Sequence, residues 1–497
     1  MCAAGQPGAG TAPASPRGAG APDWRAPGAA GPVSAIVSVP GSKSMTNRAL
    51  VISALADEPA TILRPLRARD TALMVAALRA LGAVIDDTDD RAWRVAPALS
   101  RSLGPGGIPD ISGSSTSDIP ARPAGAAGRG SIGRDGPARD RAAAVDVGNA
   151  GTVIRFVPPV ASLTALDVLF RGDPPAAARP AGPLLAGLRD LGAEVDDGGR
   201  GAVPFTVHGR GFVPGGVTTL DASCSSQIVS GLLLSAPRFG KGAEVRHDGP
   251  RVPSAPHIAM TAEMLRTAGA DVEEDSPPGA RRGPDGRLVP VRWRVHPGPL
   301  RGGAIEIEPD LSSALPFLAA ALVTGGEVTI TGWPARTAQP GARILGLLAE
   351  MGGRLEMVPA GMRVTGSGAI HGIRADLGDV SEAVPVLAAL AALADSPSEF
   401  AGIGHMRGHE TDRLAALARE IGALGGEVAE LADGLAVRPR PLRPAPGPFD
   451  SHDDHRLVMA AAVLGLALGG LEIANAATVA KTFPGFTGLW TAMLEGS

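Results

Sequence analysis

Six times along the chain a short polar segment opens directly into an apolar run rich in alanine and leucine. The openings are SKSMTNRALVISALA from Ser42, GNAGTVIRFVPPVASL from Gly148, SSQIVSGLLLSAP from Ser225, SSALPFLAAALVTGG from Ser312, SEAVPVLAALAAL from Ser381 and DDHRLVMAAAVLGLAL from Asp453. Repetition on this scale indicates one supersecondary unit used six times. A second marker recurs in LRALGAVID (Gly82), LRDLGAEVD (Gly192), LRTAGADVE (Gly269), LAEMGGRLE (Gly352) and IGALGGEVAE (Gly425). Apolar residues at helical spacing, a glycine, then alternating apolar and acidic residues predict a helix, a C-cap and a strand.

Successive glycines of this second marker lie 110, 77, 83 and 73 residues apart. The long first interval coincides with a Gly/Pro/Ser/Arg-rich stretch at about 103–145, whose low apolar content predicts a disordered insertion. A smaller break, SPPGARRGPDGR at 276–287, accounts for the third interval. Each unit then consists of two helices alternating with short strands such as EVRHDG at 244 and EVTITG at 327. Six such units exceed one ordinary core, so two domains of three units are expected.

Composition narrows the functional classes. Residues 1–31 are an Ala/Gly/Pro tail, expected to be disordered, without the basic start and apolar segment of a secretion signal. The longest apolar stretches, near 383–394 and 457–468, are too short to span a bilayer and read as core helices. A net charge of −4 and 3% aromatic residues supply neither the basic field nor the stacking platforms of a nucleic-acid binder. Two cysteines, Cys2 and Cys224, make no disulfide framework, which fits a reducing cytoplasm. Cys224 reads as a small core residue.

Only three of the 46 basic residues are lysine, namely Lys43, Lys241 and Lys481, and tyrosine is absent. A GC-rich genome accounts for that bias, and a lysine that survives it points to chemistry unsuited to the planar fork of arginine. Lys43, Ser44 and Arg48 crowd a predicted helix N-terminus, where free amides and the helix dipole favour an anion. Asn149, Gly151, Thr152 and Arg155 open the second run, Ser225, Ser226 and Gln227 the third, and Asp454, His455 and Arg456 the last. Ends carrying hydroxyls, amides and cations predict a shared cleft for a polyanion.

VPGSKSMTNRAL, GNAGTVIR, SSQIVSGLLLSAP, RGHETDRLAAL, DDHRLVMA and KTFPGF, in this order, resemble the EPSP synthase family of enolpyruvyl transferases, and RGHETDR with Glu382 resembles its actinobacterial branch. The resemblance covers about 32–102 and 146–497. It implies an α+β fold, the α/β prism or inside-out barrel, of two similar domains with three βαβαββ units each. Domain I would combine 32–42 with 310–497, and domain II would be 43–309. It also implies transfer of an enolpyruvyl group from phosphoenolpyruvate to shikimate 3-phosphate in the cytoplasm by a monomer, with no cofactor or metal and no nucleic-acid or membrane partner. Glyphosate would compete with phosphoenolpyruvate beside Gly151.

By the same resemblance Lys43, Ser44, Arg48, Ser225, Ser226, Gln227, Ser254, Glu382 and His409 would hold shikimate 3-phosphate. Lys43, Gly151, Arg179, Gln227, Arg413, Arg456 and Lys481 would hold phosphoenolpyruvate. Addition followed by elimination suits two carboxylates of opposite starting protonation, Glu382 as base and Glu410 as acid, with Lys43 and Lys481 stabilising developing charge. Histidines replace a frequent asparagine at 405 and a frequent lysine at 409, which makes any contact to the sugar phosphate pH-dependent. Read alone, Glu410 and Arg413 would be an i,i+3 surface pair. His452, Asp453, Asp454 and His455 lack the further ligands of a metal site.

Three other readings share features of this chain. UDP-N-acetylglucosamine enolpyruvyl transferases have the same architecture but match less well at KTFPGF and DDHR. RNA 3′-phosphate cyclases use related units, against which the acidic balance and scarce aromatics argue. A non-catalytic anion-binding protein differs from an enzyme only by turnover.

Overall fold

The computed structural model describes residues 23–97, 142–276 and 290–496. The expected tail and insertion therefore fall outside the described residues over 1–22 and 103–141, as does most of the break at 276–287.

Of six small sheets among the described residues, five follow one plan. In each four-stranded sheet the first two strands of a unit run parallel, and the third and fourth form an antiparallel hairpin against them. Strand Ala142–Asp146 lies parallel to Asp167–Arg171, which pairs with Phe205–His208, which pairs with Glu194–Asp196. The five marker glycines all sit at φ between 89° and 101°, directly after a helix and before the hairpin. That region favours glycine, so the repeated Gly is the C-terminal stop of each second helix. Sheet outer faces meet water, leaving Ile36, Val84, Leu169, Val217, Met357 and Leu431 exposed.

The first helix of each unit lies inside. Every residue of Gly151–Leu163, Val384–Ala392 and all but the last of His455–Ala467 is buried. Helices Lys43–Leu55, Gly151–Leu163 and Ser226–Ser235 pack together in one core, and Leu311–Thr324, Val384–Ala392 and His455–Ala467 in a second. The protein is thus an α+β fold of two similar three-unit domains with helices inside and sheets outside. Two units take their first strand from a distance. Gly303–Glu306 pairs with Ala60–Leu63, and Ser34–Val37 pairs with Glu327–Thr331. Between these strands the chain crosses from one core to the other twice. The crossings are tied side by side by Ser42 N–H to the Glu308 carbonyl (2.8 Å) and Asp310 N–H to the Pro40 carbonyl (2.9 Å).

The sixth sheet departs from the plan. It has three strands, and the place of the hairpin is taken by Trp24–Pro27, antiparallel to Gly470–Ala474. Ala26 is fully buried there, and the Trp24 ring meets Phe486 edge-on at 6.1 Å. The expectation of a disordered tail through residue 31 therefore fails from residue 23 onward, because this strand covers a sheet edge that would otherwise be open. The expected insertion also ends too late, since Ala142–Asp146 is the first strand of the second unit.

Deletion of 1–22 is expected to leave the melting temperature unchanged, whereas deletion of 1–31 removes a strand and lowers it by roughly 4 °C or more. Calorimetry of the two truncations checks this, and equal melting temperatures would show that the strand contributes nothing to stability.

Candidate functional site

Helix starts of both cores converge on one cleft. One core supplies Lys43, Ser44, Ser225, Ser226, Gln227 and Ser254 to its wall. The other supplies Asp310, Ser312, Glu382, His405, His409 and Arg456. Caps fix these ends. Ser42 accepts from Met45 N–H, Ser225 from Gln227 N–H, Asp310 from Ser313 N–H and Asp454 from Arg456 N–H. The helix of the fourth run, Leu311–Thr324, is thus capped by Asp310 and begins before Ser312. The Gly151 helix follows Ala150 without a side-chain cap, leaving its first amides to other partners.

Arg179, Arg413 and Lys481 meet beside this cavity, on Glu410. Arg413 is fully buried and touches three carboxylates: Asp454 (Nε to Oδ2, 2.7 Å), Glu410 (Nη2 to Oε2, 3.0 Å) and Glu382 (Nη1 to Oε2, 3.4 Å). Glu382 also accepts from Arg456 Nε at 3.2 Å. Glu410 accepts from Lys481 Nζ at 3.0 Å and has Arg179 Nη1 at 3.8 Å. Arg179 and Lys481, from different cores, both donate to the Asn149 carbonyl, at 2.8 and 3.3 Å. Glu410 and Arg413 are therefore a buried pair inside a network rather than a surface pair. Lys43 stands apart, its Nζ 3.3 Å from Asp70.

Charge in the network is set by this crowding. Burial by itself pushes the Glu382 carboxyl up, but Arg413 and Arg456 outweigh it and hold the group well below the ordinary carboxylate range. Burial likewise opposes ionisation of Glu410, and Lys481, Arg179 and Arg413 overcome it. Both carboxylates start ionised, which corrects the expectation of opposite starting protonation. Burial holds the imidazole of His405 down at about 4 and that of His409 at about 3, the latter helped by Arg413. They are neutral near pH 7, so the expected pH-dependent charge at 405 and 409 is absent there.

Arg48 was expected to face the sugar phosphate. Instead it is 1% exposed, and its guanidinium donates to Thr261 Oγ1 (2.7 Å), the Ser44 carbonyl (3.0 Å), the His257 carbonyl (3.1 Å) and Ser230 Oγ (3.3 Å). It knits the wall that presents Ser44 and His257. Gly151 leaves space that its neighbours use: a methyl there would lie 3.0 Å from Arg155 Nη1 and Gln227 Oε1 and 3.3 Å from Arg179 Nη2. Cys224 is partly buried, packed against the edge of one core and also lining the cleft wall.

Sequence reasoning did not find Asp70, the partner of Lys43, or His257, which lines the cavity. It saw Asp454 only as a helix opening, not as the carboxylate that fixes Arg413. Nothing in their local patterns distinguishes these residues. Among the described residues, no group of three or more His, Cys, Asp or Glu side chains is arranged to hold a metal ion, and no helix is long and apolar enough to cross a membrane. His452 turns away from His455 to Glu420 (2.9 Å).

The halves also touch beyond their two crossings, through Arg179 and Glu410, Lys481 and Asn149, Ser254 and Ser381, and Arg251 and Asp376.

Comparison with known proteins agrees with this geometry. The solved EPSP synthase from Acinetobacter baumannii has a TM-score of 0.71 at 23% identity, covering 95% of this chain and 98% of that one. The enolpyruvyl transferase NikO from Streptomyces tendae has a TM-score of 0.65 at 18% identity, covering 95% and 98%. These likenesses concern the fold. The 3-phosphoshikimate 1-carboxyvinyltransferase of Mycobacterium ulcerans is 45% identical over 480 residues, 95% of this chain and 98% of that protein. That of Kocuria rhizophila is 46% identical over 476 residues, covering 95% and 97%. The sequence matches the family EPSP synthase (3-phosphoshikimate 1-carboxyvinyltransferase) over residues 28–115 and 130–490. With that extent of match, and with the motif residues gathered around one cleft, this chain belongs to the EPSP synthase family.

Proposed function

We propose that Glu382 and Glu410 divide the proton transfers of the reaction this chain catalyses, in which the 1-carboxyvinyl group of phosphoenolpyruvate passes to the 5-hydroxyl of shikimate 3-phosphate and phosphate leaves. In the addition, the hydroxyl oxygen bonds to C2 of phosphoenolpyruvate as it loses its proton, and C3 gains one. In the elimination, the C2–O bond to phosphate breaks and C3 returns a proton. Glu382, ionised and facing the cavity, is the base on the hydroxyl.

Glu410 delivers the proton to C3, for which its carboxylate must first be protonated. Phosphoenolpyruvate supplies the means. Its phosphate and carboxylate draw on Lys481, Arg179 and Arg413, the cations that keep Glu410 ionised, and added negative charge beside a carboxylate raises its pKa. Lys43, Gly151, Gln227 and Arg456 complete that subsite. Shikimate 3-phosphate lies against Lys43, Ser44, Ser225, Ser226, Gln227, Ser254, Glu382 and His409, with Arg48 supporting the wall. Lys43 and Lys481 stabilise the charge of the tetrahedral intermediate. The observation that carries this reading is the meeting of Arg179, Arg413, Arg456 and Lys481 with two ionised carboxylates beside the cleft that Lys43 lines.

The reading includes a cytoplasmic monomer acting on small molecules. It divides the chain into domain II at 43–309 and domain I at 310–497 with 32–42, extended here to Trp24–Pro27. Two separate hydrophobic clusters support that division.

Phosphate release from purified protein is expected only when both substrates are present. Lys43→Arg and Lys481→Arg are each expected to lower kcat/KM by at least about a hundredfold with little change in melting temperature. Release driven by UDP-N-acetylglucosamine would reassign the substrate, and near-normal turnover in both variants would make the lysines incidental.

The depressed imidazoles also set the acid limb of stability. His257 and His405 titrate at about 4 and His409 at about 3 in the folded chain, against 6.5 ordinarily. Between these values the unfolded chain binds more protons, so stability is lost as pH falls from about 6.5 toward 4. Melting temperatures measured across that window should fall less steeply for a His405→Gln/His409→Gln double variant than for the parent. Parallel slopes would show that these imidazoles are not held neutral by burial.

A further inference from the structure

Outside the catalytic network, Arg251 joins the two halves in surroundings built to receive it. The Arg251 guanidinium, from the 43–309 half, donates through Nη1 to both Asp376 carboxylate oxygens (2.7 and 2.5 Å) and through Nη2 to Asp379 Oδ1 (2.9 Å). Asp379 is nearly buried, with 6% of its side chain exposed. Gly378 and Gly402 shape the recess: a methyl on Gly378 would sit 2.8 Å from the guanidinium carbon, and one on Gly402 3.1 Å from Nη1. Asp376 Oδ1 also accepts from Gly378 N–H at 3.0 Å, which orients the carboxylate before any arginine arrives. Such a two-carboxylate socket favours the planar fork of arginine over the point charge of lysine.

What this contact positions follows from its neighbours on both chains. Three residues after Arg251 comes Ser254, in left-handed backbone at φ 50°, a conformation that costs any residue other than glycine. It is held there from the other half: Ser254 N–H donates to the Gly378 carbonyl at 2.7 Å, and its hydroxyl lies 3.1 Å from that of Ser381. Three residues after Asp379 comes Glu382, the base. Pro253, Ser254, His257 and Glu382 all line the cleft. One docking contact therefore holds the two turns that form opposite walls around the sugar substrate.

We propose that Arg251 is a positioning residue for shikimate 3-phosphate, clamping the 251–254 turn onto the 376–382 turn so that Ser254 and Glu382 face the same bound sugar. It touches no reacting atom. Its loss shifts the halves toward arrangements in which that subsite is incomplete, and apparent affinity falls by the fraction still competent. The phosphoenolpyruvate subsite, built around Glu410, Arg413 and Lys481, depends on it far less. The proposal rests on the placement of Ser254 in the sugar subsite made above.

The test uses the full chain with Arg251→Met, Arg251→Lys, Asp379→Asn, the Arg251→Met/Asp379→Asn double variant and Ser254→Ala. Circular dichroism first establishes that each is folded. Calorimetry then gives the Kd of shikimate 3-phosphate, and steady-state kinetics give kcat and the KM of phosphoenolpyruvate. Arg251→Met is expected to weaken shikimate 3-phosphate about tenfold or more, with kcat and the phosphoenolpyruvate KM within about threefold of the parent. Arg251→Lys should fall between the two, and the double variant should be no worse than Arg251→Met alone, because the two side chains act as one contact. A Kd within twofold of the parent for Arg251→Met, beside a weakened Ser254→Ala, overturns the clamp. Parental affinity in Ser254→Ala overturns the subsite placement instead. Equal loss for both substrates, or additive losses in the double variant, reduces Arg251 to general stability and also overturns the proposal.

Discussion

A helix that is apolar on every side can present only its ends to water, and this constraint organises the molecule. The first helices of the repeats are buried along nearly their whole length, so polar residues belonging to them must collect at their starts. Three such helices pack side by side in each core and expose their N-terminal amides toward one cleft. Positive helix ends at Lys43 and Ser226, capped by the neutral Ser42 and Ser225, favour an anion before any charged side chain is counted. The cations then add to a field the backbone already provides, although the whole chain is slightly acidic.

Within that field, Arg413 has the most consequential surroundings. A fully buried guanidinium is tolerable because Asp454, itself fully buried, pairs with it through two hydrogen bonds. It also reaches His409, Glu410 and Glu382, so one side chain ties the two proposed proton carriers together and biases both toward the ionised form. The cost of burying so many charges is offset only while they remain paired, which makes the network responsive to incoming anions. In the proposed reading, phosphoenolpyruvate alters the pairing of Glu410 because both compete for the same three cations.

Local signals made much of this fold legible. The polar openings and the glycines after the second helices are enforced within a few residues, by capping and by left-handed backbone, and the structure has those glycines where the sequence places them. Long-range pairing was not legible. Trp24–Pro27 is four residues long, contains a proline and sits in low-complexity sequence, yet it completes a sheet whose other strands lie more than 420 residues away. Ala142–Asp146 was hidden for the same reason, at the end of a compositionally biased stretch. In the site, motif residues were legible, but their charge states were not. Those depend on which cations surround each carboxylate, and Asp454, Asp70 and Arg251 act through partners between 27 and 128 positions away.

The central claim is that Glu410 is a carboxylate in the free protein and gains its proton when phosphoenolpyruvate engages its cations. Carbon NMR of side-chain-labelled glutamate, assigned with Glu382→Gln and Glu410→Gln, follows both carboxyls as pH is lowered, with and without phosphoenolpyruvate alone, which cannot turn over without its co-substrate. The account predicts that both groups titrate below the ordinary range near 4.5 in the free protein and that Glu410 moves upward on binding while remaining on the same signal. A Glu410 already protonated near pH 6 in the free protein, or one unmoved by phosphoenolpyruvate, would contradict it.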